Sequence, residues 1–375
     1  MKSTFLLCCF ILTPLFAMAQ IPMEKILNRV TIPPEGDLRG LVDTIGFPHT
    51  AEQMDFIARY TAEAEKQEME ANRNKFNFNG KTSFIYAISP HDDYMLAARN
   101  YVHIYPYIKA NTVILIGNAH WSEAFGIRNR LILGDFRYWR GPYGPVKVSP
   151  LREELIGSMP PEDIKISRTI IETEHSLEAL IPFLQYYNRN VEIIPILIPF
   201  TGWDQMNQLG KKLAQTVAAI MKKKGLTLGK DLAILCTTDG QHYGDYGWSY
   251  YNFHPFGCDA DGYKQSMKLD ETLVNNYLTG PLSVSNIHDL YGKLINEQNI
   301  SEYKVTWCGR FSVTFSADFA TRLTLAMEDR TPVMYFLSHG SCLSDPWLPL
   351  KDKGMGVTAD ANLHRFVTYI AIGGK

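Results

Sequence analysis

Phe84-Ile85-Tyr86-Ala87-Ile88-Ser89-Pro90-His91 and Thr112-Val113-Ile114-Leu115-Ile116-Gly117-Asn118-Ala119-His120 are two apolar runs, and each ends in a histidine. A short apolar run closed by turn residues reads as a buried strand. Residues 94–108 between them have helical character, and strand, helix, strand implies a parallel pair. In an open α/β sheet, ligands bind just beyond the carboxyl ends of the strands. His91 and His120 are therefore the first candidates for a site. The alternative is two satisfied histidines in unrelated loops.

The pattern continues along the chain. Residues 192–199 are almost wholly apolar, and 231–238 run directly into Asp239-Gly240-Gln241-His242. A strand over 332–337 leads into Ser338-His339-Gly340-Ser341-Cys342, and 363–372 reads as an edge strand. Helices are expected within 170–188, over 206–224, and around 263–277 and 287–297. In the first of these, Leu177, Leu180, Ile181 and Leu184 form a stripe, with His175 and Glu178 beside it. Gly225 ends the second. The expected architecture is a single α/β domain over 81–375, built around a mainly parallel central sheet with flanking helices. Residues 20–80 form a helical N-terminal extension, rich in helix formers between Ala51 and Asn72.

Residues 1–19 have the pattern of a secretory signal peptide. Lys2 supplies the positive start, 5–16 the apolar stretch, and Ala17-Met18-Ala19 the small-residue cleavage site. That stretch is short for a membrane span, and no later run approaches the ~20 apolar residues one needs. A periplasmic or secreted protein with no stable membrane span is expected. Cys8 and Cys9 fall in the leader; Cys236, Cys258, Cys308 and Cys342 remain, at irregular spacings that define no disulfide framework. The formal charge of −2 and the lack of a basic stripe argue against nucleic acid. Tyr and Trp crowd between Tyr243 and Phe256, as core or as the wall of a ligand pocket.

Four expected strands thus end in metal-competent or titratable residues: His91, His120, Asp239 with His242, and His339 with Cys342. Two imidazoles with a thiolate or a carboxylate suit zinc, copper or iron. A set of three leaves positions open, as catalytic sites do. His175, at an expected helix start, suits a neutral base or a hydrogen-bond donor. Bland readings stand beside these: Asp239 as a turn residue before Gly240, and Cys342 as an ordinary buried thiol. Arg310 would pair with a carboxylate or an anion. His49, His103, His254, His288 and His364 read as structural or surface residues. No GxSxG, P-loop or GxGxxG motif occurs.

At these same residues the chain resembles the Memo-like family, which includes the AmmeMemoRadiSam system protein B group and is related in fold to class III extradiol (LigB-type) dioxygenases. Pro90-His91-Asp92-Asp93-Tyr94 is similar to its PHAGY segment, and Gly117-Asn118-Ala119-His120 to GPSH. Tyr138 to Val146 is similar to Y-x-T-P-L-G, and Glu174-His175-Ser176-Leu177-Glu178 with Pro182 to EHS-x-E…LP. Ile193-Ile194-Pro195-Ile196-Leu197 resembles IIPVLV, and Asp239-Gly240-Gln241-His242-Tyr243 resembles D-x-x-H-Y. Cys308-Gly309-Arg310 is similar to a CG-containing element, and 338–345 takes the place of the last site segment. The resemblance covers about residues 80–375. It implies a metal, or vestigial metal, site at the strand ends. By motif position His91, His120 and Cys342 would be the ligands, with His339 competing for the third place. Asp239 and His242 would line the site, and His175 would stand near the substrate. The implied function is that of a metal-dependent, dioxygenase-like oxidoreductase using iron or copper, with zinc possible, on a small molecule or peptide. The alternatives are a zinc hydrolase on the same ligands, and a non-catalytic peptide- or glycan-binding protein.

Overall fold

A computed structural model describes residues 22–248 and 252–375; the expected leader lies outside them. Six strands run four residues or longer: β1 (Tyr86–Ser89), β2 (Thr112–Asn118), β3 (Glu192–Ile198), β4 (Leu232–Thr237), β5 (Val333–Ser341) and β6 (Phe366–Gly374). Their order in the sheet is β3-β2-β4-β1-β6-β5, with short strands extending both edges. The first four are mutually parallel; β6 is antiparallel to β1, and β5 antiparallel to β6. The expected α/β class is the one observed.

Alternation along the strands decides which layer each side chain joins. Ala87, Val113, Leu115 and Leu235 enter one core, whereas Tyr86, Ile88, Ile114, Ile116, Ile234 and Cys236 enter the other. Because both faces are covered, the strands read as continuous apolar runs. The first core is closed by α1 (Ala51–Ala64), which leads through Glu65 into α2 (Lys66–Phe76), and by α3 (Tyr94–Tyr101). The second is closed by α4 (Trp203–Lys224), α5 (Ala260–Tyr277), α6 (Val284–Leu294) and α7 (Arg310–Glu328). Thr50 starts α1 with a capping box to Gln53. Gly225 ends α4 in the left-handed region at φ +67°, as its sequence suggested.

The structure departs from the sequence reading in five places. β1 and β2 are parallel but not neighbours, because β4 lies between them and pairs with both. The stretch 170–188, expected to contain a helix, is divided: a helix at Arg168–Thr173 stops, and a second begins at Ile181–Tyr187 after one 3-10 turn. Glu174 causes the break by turning its carboxylate onto the Ser176 and His120 backbone N–H groups. β6 is a central strand, buried at every residue, and no edge strand. β5 continues past Leu337 to Ser341 through an irregularity between Phe336 and Ser338, so His339 lies within a strand and not at its end.

Helix α7 was not expected at all. It is buried on nearly every side and so has no amphipathic stripe to read. Its hydroxyls are satisfied internally: Thr314, Thr321 and Thr324 donate to the carbonyls of Arg310, Ala317 and Ala320. Its N-terminus points Cys308 at the carboxyl edge of the sheet.

Candidate metal centre at the strand edge

The insertion of β4 between β1 and β2 assembles the site. His91 leaves β1, His120 leaves β2, and Asp239 follows β4 between them. The His91 and His120 ring centroids are 5.5 Å apart. Asp239 Oδ1 accepts the His91 backbone N–H at 2.9 Å, which fixes where the chain turns off β1.

Each histidine has Nδ1 engaged by a protein oxygen, which decides what its Nε2 carries. The Thr237 hydroxyl donates to the Ser89 carbonyl (2.9 Å), so it accepts from His91 Nδ1, 3.0 Å away. Nδ1 therefore carries the proton and Nε2 a lone pair. His120 Nδ1 donates to Glu174 Oε1 at 2.9 Å, which likewise leaves its Nε2 bare. A carboxylate or hydroxyl behind a ligand histidine sets its tautomer and orientation. The third member is Cys308, whose Sγ lies 3.3 Å from His91 Nε2 and accepts the Asp239 backbone N–H at 3.2 Å. Gly309 permits this approach, because a Cβ there would come within 2.5 Å of Thr238. One donor atom each from His91, His120 and Cys308 all fall within 4.8 Å of one another.

Burial sets the charges. It pushes the Cys308 thiol well up, with Asp239 adding to the effect, and lowers His91 to about 3. With Nδ1 carrying the ring proton, His91 Nε2 is the acceptor in its 3.3 Å contact with the Cys308 thiol. Burial alone would raise Glu174, but its bond and charge interaction with His120 hold it well below the usual carboxylate range. Burial raises Asp239 to about 6; with neighbouring carboxylates contributing, Asp92 goes to about 7 and Asp93 to about 8. Asp92 accepts from the Tyr369 hydroxyl at 2.7 Å, and Asp93 from the Thr358 N–H at 2.5 Å.

A cavity of about 490 Å³ opens over these residues. His175 and His242 both line it. The His175 ring stacks on His120 at 4.8 Å; His242 packs edge-on to Trp248 at 4.7 Å. Among the described residues His175 Nδ1 and His242 Nε2 are buried without a hydrogen-bond partner, and burial lowers both rings, His242 to about 3. Each is a neutral imidazole with an uncommitted nitrogen.

Of the six site residues expected from sequence, five gather here: His91, His120, His175, Asp239 and His242. Cys342 lines the same cavity, but its thiol accepts the Val367 N–H at 3.3 Å, and the thiol beside the two histidines belongs to Cys308. His339 faces Asp270 and Glu271, at 3.8 Å from each, across α5. Asp239 positions the His91 backbone, whereas Thr237 and Glu174 set the tautomers. Sequence reasoning gave Cys308, Thr237 and Glu174 no role. Cys308-Gly309-Arg310 and Glu174-His175 were the signals available for two of them.

Glu174→Gln is expected to weaken metal binding about 10–100-fold, because the amide presents either an N–H or a weaker acceptor to His120. Titration with Zn(II) beside wild type measures this.

An α/β sheet with a histidine–thiol cluster on its carboxyl edge is the class of protein defined so far. The model of the family described as Memo-like protein matches residues 58–339, and this chain belongs to that family. Its relatives include a MEMO1 family protein of Sulfurisphaera tokodaii, 28% identical over 169 residues, or 44% of this chain and 55% of that one. One from Caldivirga maquilingensis is 25% identical over 225 residues (58% and 70%), and one from Pyrobaculum aerophilum 28% over 160 residues (42% and 52%). The chain thus spans about half the length of the first and third of these relatives, and more of the second.

Proposed function

We propose that this protein is an exported metal-dependent oxidoreductase of dioxygenase-like type acting on a small molecule, with the metal held by His91, His120 and Cys308. The observation that carries the reading is the geometry of the three donors, with both histidines already in the tautomer that a ligand needs. Two imidazoles and a thiolate suit iron, copper or zinc. When bound by only three protein ligands, such an ion supplies a Lewis acid with open positions toward the cavity.

The surrounding residues do the remaining work. Asp239 keeps His91 in place through its backbone, and Glu174 aims His120. His175 and His242, held neutral, would give or take a proton at their uncommitted nitrogens. The apolar wall from Phe47, Leu96 and Phe366 would exclude bulk water from one side of a bound substrate. Export rests on the leader pattern of residues 1–19. Among the described residues, no helix is long and apolar enough to cross a membrane.

The test is oxygen uptake with small phenols by iron- and copper-loaded protein, run beside ester and amide hydrolysis by zinc-loaded protein. Oxygen consumption that disappears in His91→Ala supports the proposal. Hydrolysis with no oxygen uptake would replace it with a zinc hydrolase. A fully metallated protein inert in both assays would overturn the enzyme reading in favour of a binding protein.

A further inference from the structure

Two arginines line the same cavity without a carboxylate partner among the described residues. Arg29 reaches it from the N-terminal segment and Arg365 from just before β6. Each guanidinium lies on a tryptophan ring, Arg29 over Trp121 at 4.7 Å and Arg365 over Trp248 at 4.8 Å. Each has its Nε buried with no hydrogen-bond partner among the described residues. A buried N–H left unpaired is costly, and a guanidinium in particular favours a forked acceptor. Stacking fixes the plane of the fork and leaves its edge free. The chain under Arg365 is also shaped for it: Gly247 sits at φ +80°, and a Cβ there would come 2.8 Å from the Arg365 side chain.

Arg29 acts on His175 and Arg365 on His242, disfavouring the protonated ring in each case. The buried acids nearby are engaged elsewhere. Asp43 accepts from the Ile45 and Gly46 N–H groups, Asp93 from Thr358, Asp92 from Tyr369, and Asp239 from His91. Asp360 stands exposed at the rim.

We infer that the ligand of this cavity is an anion, a carboxylate or a phosphate ester, gripped by Arg29 and Arg365 while its apolar body lies over the cluster. This deepens the proposed function and rests on reading this cavity as the working site. A forked, charge-assisted pair in a partly buried site is worth about tenfold or more in affinity. The tryptophans beneath the guanidiniums provide the readout.

The experiment titrates benzoate, phenyl phosphate and benzamide into the full protein and follows tryptophan fluorescence. Wild type, Arg29→Gln, Arg365→Gln and the double variant are compared, with metal content measured on each sample. At least one anion is expected to bind wild type about tenfold or more tightly than the isosteric benzamide. The better of the two identifies the anion as carboxylate or phosphate. The preference should fall in each single variant and vanish in the double, with metal content unchanged. Equal affinity for all three probes, including none, would overturn the inference. So would a preference that survives in the double variant, since the anion would then sit on the metal. A wild-type protein that prefers the anions but takes up no metal, the preference still vanishing in the double variant, would sink the proposed function and leave this inference standing.

Discussion

Arg39→Met is expected to lower stability by about 3–5 kcal/mol, because it strands a buried charge. Arg39 Nη1 is 2.5 Å from Glu178 Oε2, and both side chains are almost fully buried. Glu178 also accepts the backbone N–H groups of Val42 and Asp43. Burial raises its carboxyl above the usual range, and the Arg39 charge and these N–H groups work against that rise, so removing Arg39 takes away the largest interaction that favours the charged form. The rest of the guanidinium donates to the carbonyls of Ile171 and Glu174, at 2.8 and 2.6 Å, while its plane covers Trp139. Those carbonyls belong to the break after Arg168–Thr173, where no helical N–H reaches them. Arg39 therefore joins the N-terminal segment to the turn that presents Glu174. Urea denaturation should show the loss, and Arg39→Lys should recover only part of it because an ammonium cannot serve several fixed acceptors at once. The intact fold of either variant should also bind metal less tightly, since Glu174 would no longer be held against His120.

Cys308→Ser should cost more metal affinity than any supporting residue, more than about 100-fold, while Cys342→Ser should leave affinity unchanged. The two thiols differ in what faces them. Cys308 lies 3.3 Å from a bare imidazole nitrogen, and Cys342 receives a strand N–H. A serine at 308 would still accept the Asp239 N–H, so the fold should survive, but it would offer a hard hydroxyl in place of a soft thiolate. A zinc titration of both variants with a competing chelator separates them. Equal losses would place Cys342 among the ligands after all.

What could be read in the sequence follows from how locally each feature is encoded. β1, β2 and β4 declare themselves because they are buried on both faces and close on turn residues, and His91, His120 and Asp239 stand directly on those closures. The placement of β4 between β1 and β2 is a long-range choice that no run of residues states. The position of Cys308 was hidden for the same reason α7 was: a helix of Phe, Thr, Ser and Val buried all round has neither the propensity nor the stripe that marks a surface helix. His339 misled because the apolar run ends at Leu337 while the strand pairing goes on to Ser341. Glu174 was masked by the helical stripe beginning at Leu177, which is real in spacing but starts three residues after the chain has left the helix.

The family, the fold and the donor geometry converge on one question, whether these three residues hold a metal. Wild type, His91→Ala and His120→Ala, purified alike, loaded with the same excess of metal and desalted, should be compared by elemental analysis. About one metal ion per wild-type chain is expected and close to none in either variant, with all three folded by circular dichroism. Equal metal content in the three proteins would contradict it.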